Sequence, residues 1–457
     1  MQNKSAESKI GHIIKRDSSI VPFTKTRVVN AIYRAAIAVG GRDNKLAEKL
    51  ANKVTTALVE RFGSKDIHVE EVQDMIEKVL IDNGKAQTAK AFILYRAERK
   101  RERENRESLK DSEYGGSTVP WKKTWESLNW SYEHGIMTVK DLNRRIEESS
   151  YLELIRESEN AYNMEISRAA EILIKRSSSA RMVIIAGPSS SGKTTSTIKI
   201  AEHLKNEGFV FVPLHVDNYF FDLHLHPRDE HGDFDYETPE AIDMELLNSD
   251  LNKIIAGEEV HPPFFNFKTG KREGHAEPVL LKPGEILLFD SHHGMHPAVT
   301  EGIPDELKLS VYTEPLLQMR GPEGAYIKWT DIRLMRRLFR DRRDRGQAPI
   351  DTVKHWRYVR RAELRHIIPA SIRADVIINT ALPYALPIWS YLLGDLFSSW
   401  AESGQSDFSG HTHAFERVKR LDYLFKNIKK WKDVSVIPED TLLREFVGSS
   451  PEPVVNG

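Results

Sequence analysis

Residues 187–195, GPSSSGKTT, have the types and spacing of a phosphate cradle. Gly187 and Gly192 free the backbone around Pro188 to turn N–H groups inward along Ser189, Ser190 and Ser191, and Lys193 is long enough to reach β- and γ-phosphates. Thr194 would hold Mg²⁺ through its hydroxyl, and Thr195 completes the nucleotide-binding stretch. The same composition in a surface turn would be inert. Here the turn follows the apolar run Met182 to Ala186 and leads into TSTIKIAEHLKNEG, a strand and then a helix, the order a phosphate site needs. Triphosphate binding is the expected chemistry.

Phosphoryl transfer further requires that the acceptor lose a proton and that equatorial charge be stabilised. Asp217 ends the β-branched and aromatic run FVFVPLHVD, and strand C-termini face ligands in open α/β sheets, so Asp217 is the candidate general base. Asp290 ends the apolar strand LLFD and is placed to orient Mg²⁺ or its waters. The helix TDIRLMRRLFRDRRDRG carries Arg333, Arg336, Arg337 and Arg340 on one face at i, i+3, i+4, i+7 spacing, which suits a lid over phosphates. Taken singly, a strand-terminal Asp is often a loop cap and an arginine stripe a solvated face; their order in one chain carries the reading. His292, His293 and His296 beside Asp290 suggest a metal, but no further ligands accompany them, and lining an acceptor pocket or capping a helix is the expectation.

The elements that must position these groups read as α/β. Further apolar strands appear as EILLFDS, LKLSVYT and ADVIINT, and βαβ connections place them in a parallel sheet. A length of 457 residues allows two or three domains. The expected boundaries are 8–100 for a mainly helical module, 101–178 for a helical linker, 179–386 for the catalytic domain and 387–457 for a helical extension. The mixed-sign run RAERKRERENRE falls at the first junction. Net charge of −1 gives no global attraction to nucleic acid or membrane, and the absence of cysteine removes disulfides, thiolate metal sites and cysteine nucleophiles. No apolar run approaches the roughly 18 residues that span a bilayer. A cytoplasmic protein without nucleic-acid or membrane partners is expected.

Residues 10–98 contain KRDSSIVPF with Lys25, the AIYRAA helix, VEEVQDMIEKVLIDNG and AKAFILYR. This stretch resembles the ATP-cone, a regulatory nucleotide-binding module, departing from it at Ser18, Thr26 and Arg27. The resemblance implies that Lys15, Arg16, Lys25, Lys90 and Arg96 face the phosphates of an effector nucleotide. It also implies control of activity or of the size of a homo-oligomer. Reductases that carry this module need cysteines, so this chain is not one of them.

The set GPSSSGKTT, DNYF, FDYETPEAID, PPFFNFKTGKRE, LLFDSHHGMHP, DIRLMRRLFRD and ADVIINT resembles the uridine kinase branch of the phosphoribulokinase-uridine kinase family. REFVGSS near the end is similar to long nucleoside kinases of this branch. The resemblance implies a P-loop NTPase-type parallel sheet flanked by helices, with ATP and Mg²⁺ as cofactors. It makes Asp217 the base toward a 5′-hydroxyl, Asp235 a ribose ligand, and Tyr219, Phe264, Phe265 and Phe267 walls for a base. Arg333, Arg336 and Arg340 become lid residues, and His292 lines the acceptor side. Two departures stand out: Asp290-Ser291-His292 replaces Glu-Gly-Ile, and FFNFKTGKRE replaces the pyrimidine-reading stretch, so Lys271 and Arg272 are candidates to meet a second phosphate or another base. The expected activity is transfer of the γ-phosphate to a nucleoside hydroxyl. A kinase for an anionic metabolite such as 2-phosphoglycerate or a sugar phosphate, and an inactive nucleotide-sensing regulator, are the alternatives.

Overall fold

A computed structural model of the chain describes residues 10–15, 20–97, 120–176, 179–227, 234, 238–449 and 451–454. They divide into two compact units. The first takes in the described residues within 1–116, 219–243 and 263–274, and the second those within 117–218, 244–262 and 275–457.

In the first unit, strands β1 (His12–Ile14), β2 (Ile20–Pro22) and β3 (Ile67–His68) form a small sheet of order β2-β1-β3. Helices α1 (Lys25–Ile37), α2 (Asn44–Phe62), α3 (Val69–Asp82) and α4 (residues 86–97) surround it. The apolar residues of α1 recur at helical spacing, so Val28, Val29, Ile32, Tyr33 and Ala35 share a buried face. Asp43 accepts the Leu46 N–H at 2.9 Å and starts α2, while His68 and Glu71 form a capping box for α3.

The second unit opens with α5 (Trp121–Glu133), α6 (Val139–Glu147) and α7 (Tyr151–Arg176), followed by β4 (Met182–Ala186), α8 (Lys193–Asn206) and β5 (Val210–His215). After α9 (Met244–Ala256), strands β6 (Pro263–Asn266) and β7 (Lys271–His275) pair in a hairpin that falls almost wholly in the first unit. The chain continues as β8 (Glu285–Asp290), β9 (Lys308–Glu314), α10 (Trp329–Arg345), α11 (Pro349–Ala362), β10 (Val376–Asn379), α12 (Ala385–Ser403), α13 (Thr412–Lys426) and α14 (Leu442–Val447).

Strands β4, β5, β8, β9 and β10 make a parallel sheet of order β10-β9-β4-β8-β5. A parallel sheet covered on both faces requires apolar side chains on both, and every residue of β4 is buried. Tyr151, Tyr162 and Leu173 of α7 and Trp389, Leu393 and Phe397 of α12 share one core with Val183, Ile185 and Val311 of the sheet. The stretch expected as a linker therefore contributes, in its described part, to the core of the second unit, as does the C-terminal stretch. No described helix is long and apolar enough to cross a membrane.

Candidate active site

The turn after β4 is held by close approach. A Cβ on Gly187 would lie 2.5 Å from the Thr313 carbonyl oxygen of β9, so no side chain fits there. Ser190 takes a left-handed φ of 58°, a strained state for a non-glycine residue, and Gly192 at φ 94° precedes the first residue of α8. Such alternation aims successive N–H groups into one concavity. Lys193 Nζ donates to the carbonyls of Gly187 at 3.0 Å and Pro188 at 3.3 Å, and stands 3.1 Å from His292 Nδ1.

Sheet order brings the two candidate acids to this lysine. Asp290 is in register with Ile185 of β4 on one side and His215 of β5 on the other, and Asp217 lies two residues past His215. Asp217 reaches solvent on one side while protein crowds the rest; this desolvation raises its carboxyl above the usual range, with Lys193 the leading opposing charge. Asp290 is raised by the same desolvation, again opposed by Lys193, and the neighbouring Asp217 raises it further. His292 is driven well below the ordinary imidazole range by desolvation and then by Lys193 and Arg340. A neutral His292 can accept from the Lys193 ammonium. Asp290, at the end of β8 beside β4, and the exposed hydroxyl of Thr194 next to Lys193 are oxygen donors of the kind a hard divalent cation takes. Among the described residues no group of three or more His, Cys, Asp or Glu side chains could hold a metal by itself, so His292, His293 and His296 do not make one.

The arginines of α10 stand differently from an exposed lid. Arg333 is wholly buried: its Nε meets Glu314 at 3.1 Å, its two terminal nitrogens meet Glu363 at 2.5 and 2.8 Å, and it donates to the Ser189 carbonyl at 3.0 Å. Arg336, also buried, donates to the Thr380 carbonyl at 2.6 Å and reaches the Ser190 and Ser191 carbonyls at 3.4 Å. Desolvation pushes Arg336 down to about 10. These two side chains brace the turn from its protein side. The reason is burial of α10 from Asp331 to Phe339, which leaves no free arginine face at these positions, while Arg342, Arg343 and Arg345 at its end are exposed. Arg337 and Arg340 both reach the Ser189 hydroxyl, at 2.6 and 3.2 Å. Arg340 Nε is buried without a hydrogen-bond partner among the described residues, and desolvation followed by Arg337 and Arg345 lowers Arg340 to about 10. An unsatisfied guanidinium N–H beside a phosphate turn fits a polyphosphate oxygen.

Two supporting residues had no sequence signal. Glu363 accepts the Ser189 N–H at 3.0 Å in addition to its pair with Arg333. It starts a single π-turn, Glu363–Ile367, a local widening that periodicity does not reveal. Glu445 of α14 accepts the N–H of Thr195 at 3.1 Å and its hydroxyl at 2.7 Å.

Residues 182–384 match the Phosphoribulokinase / Uridine kinase family, and residues 11–101 match the ATP cone domain. The chain carries one domain of each kind. Its kinase domain is similar to the uridine kinase of Deinococcus deserti, 29% identical over 195 residues that cover 42% of this chain and 84% of the relative. The uridine kinase of Halobacterium salinarum is 27% identical over 195 residues, covering 42% of this chain and 77% of the relative. The ATP-cone side is 41% identical over 105 residues to the vitamin B12-dependent ribonucleoside-diphosphate reductase of Thermoplasma acidophilum, which is 22% of this chain and 13% of that enzyme. The stretch 182–384 is thus of the P-loop kinase kind, and its phosphate turn, two candidate acids and α10 arginines lie in the second unit.

The remaining expected residues of the kinase domain fall in the first unit. Tyr219 is fully buried and Phe265 nearly so, whereas Phe264 and Phe267 are exposed. Phe265 lies 5.0 Å from the Phe267 ring and 5.7 Å from Phe220. Burial makes Tyr219 a core residue instead of a pocket wall. Arg272 does not offer a free charge for a second phosphate: it pairs with Asp243 at 3.0 Å and donates to the carbonyls of Phe220 at 2.8 Å and Tyr219 at 2.7 Å. Lys271 is exposed. Asp235 lies outside the described residues, as does Arg16 of the ATP-cone. In the ATP-cone, Lys15 and Lys90 are exposed and Lys25 is half-buried. Arg96 departs from the expected effector role, because Glu70 at 2.7 Å, Asp74 at 2.9 Å and Glu77 of α3 already neutralise its guanidinium.

Proposed function

We propose that the protein is an ATP- and Mg²⁺-dependent kinase that transfers the γ-phosphoryl group to a hydroxyl of a nucleoside of the uridine or cytidine kind. The observation that carries this reading is that the Lys193 turn follows β4 while β8, paired with β4 and β5, ends in Asp290 opposite His215, two residues before Asp217. In this reading Lys193 and amides of the turn other than that of Ser189, which Glu363 holds, bind the donor phosphates, and Arg340 offers its unsatisfied N–H to the same anion. Asp217 takes the proton of the acceptor hydroxyl; its raised pKa makes it a better base than an ordinary aspartate. Thr194 and Asp290 would hold Mg²⁺, which neutralises phosphate charge when bound.

The ATP-cone is read as a second nucleotide site, with Lys15 and Lys25 toward the effector and a homo-oligomer as the responding assembly. A cytoplasmic location fits this metabolic role. Support for the nucleoside class comes from the similarity to uridine kinases. The commitment of Arg272 to Asp243 and backbone carbonyls removes one of the charges that favoured an anionic acceptor. An ADP-release screen over nucleosides, 2-phosphoglycerate and sugar phosphates tests the acceptor. ADP release with a pyrimidine nucleoside supports the reading, and release only with an anionic acceptor contradicts it.

A further inference from the structure

Thr195 sits in the first turn of α8, where backbone N–H groups have no partner within the helix. Gly192 at the N-cap supplies no side chain to satisfy them. Both Thr195 donors are instead taken by one carboxylate oxygen of Glu445, 250 residues away in sequence, at 3.1 and 2.7 Å. An ionised carboxylate at this position makes the contacts that an oxygen of a nucleotide phosphate would make with the same N–H and hydroxyl.

The contact is part of a docked element. Leu442 stands over Gly192 so closely that a Cβ there would lie 2.4 Å from its Cδ1. Arg343 of α10 donates to the carbonyls of Glu445 at 3.0 Å and Phe446 at 3.3 Å, and Lys199 of α8 pairs with Asp440 at 3.1 Å. Helix α14 is therefore seated on the mouth of the phosphate turn by both neighbouring helices.

We propose that Glu445 is an internal ligand of the phosphate turn, which a nucleotide phosphate must displace from Thr195. Two anions cannot share one N–H and one hydroxyl, because like charges at this separation repel. ATP binding and full docking of α14 then exclude each other, and the C-terminal segment sets the apparent affinity for nucleotide. This inference rests on reading the turn as a nucleotide site.

Calorimetric titration of ADP into the full chain, with K193A to define the component bound at the turn, separates the two claims. In E445Q and E445A that component should tighten by about tenfold or more, the range expected when a charge-assisted competitor is removed. Hydrogen exchange of the 442–447 amides in the unmodified chain should speed up when ATP is added. Equal or weaker ADP binding in both variants, or slower exchange at 442–447 with ATP, overturns the displacement and leaves the kinase reading standing. ADP binding that K193A does not alter removes the turn as a nucleotide site, and the inference falls with it.

Discussion

At the residue scale, the chemistry turns on Asp217, Asp290, Lys193 and His292. Desolvation raises both carboxyls above their unfolded values, so the penalty is absent below the unfolded carboxylate pKa, where both states are neutral, and stability falls as pH rises from the unfolded to the folded pKa. Asp290→Asn should accordingly raise the melting temperature at neutral pH while lowering turnover, read by a thermal melt beside an ADP-release assay. His292 has the opposite sign. Its folded pKa lies well below 6.5, so the unfolded chain binds the extra proton and stability falls as pH drops below about 6.5. Replacing it, His292→Gln, should flatten the acid limb of the melting curve between about pH 7 and 5, and an unchanged acid limb would contradict the assignment. The phosphate turn, Asp217 and Asp290 could be picked out in the sequence because each stands at the C-terminal end of an apolar strand-like run. Glu363 and Glu445 were not, since a carboxylate that satisfies a distant N–H has no periodic or compositional mark.

At the element scale, α10 shows where pattern reading stops. Spacing correctly put Arg333, Arg336, Arg337 and Arg340 on one helix, but spacing cannot say whether a charged face meets solvent or protein. Glu314 at the end of β9 and Glu363 at the end of α11 make burial of Arg333 tolerable, and both are remote in sequence. Arg333→Met would leave buried Glu314 without its cation and Glu363 with only Arg360, 3.4 Å away, and should cost about 3–5 kcal/mol in chemical denaturation. A loss under about 1 kcal/mol would mean that the pair is not braced as described. The same variant should weaken nucleotide binding, because the Ser189 backbone loses one of its two clamps.

At the scale of the whole molecule, the sequence pointed to an ATP-cone ahead of a P-loop kinase, and both domains are present. It did not show that the segments 219–243 and 263–274 group with the ATP-cone, because such grouping comes from contacts between distant stretches. Within that unit Arg42 donates to the carbonyls of Leu225 at 3.2 Å and Glu240 at 2.9 Å, with its guanidinium 3.4 Å from the Phe221 ring centroid. Tyr33 donates to the same Leu225 carbonyl at 3.0 Å. Arg42→Ala should therefore speed hydrogen exchange across residues 219–227, and unchanged exchange there would show that these contacts do not hold the segment. The central claim is narrower, that Lys193 and Asp217 act on one phosphoryl group and one hydroxyl. Single-turnover ADP release with saturating ATP and a pyrimidine nucleoside, in the unmodified chain and in Asp217→Asn, tests it most directly. The account predicts a loss of about 10²–10⁴ in the rate with nucleotide binding retained; turnover at the unmodified rate in that variant would contradict it.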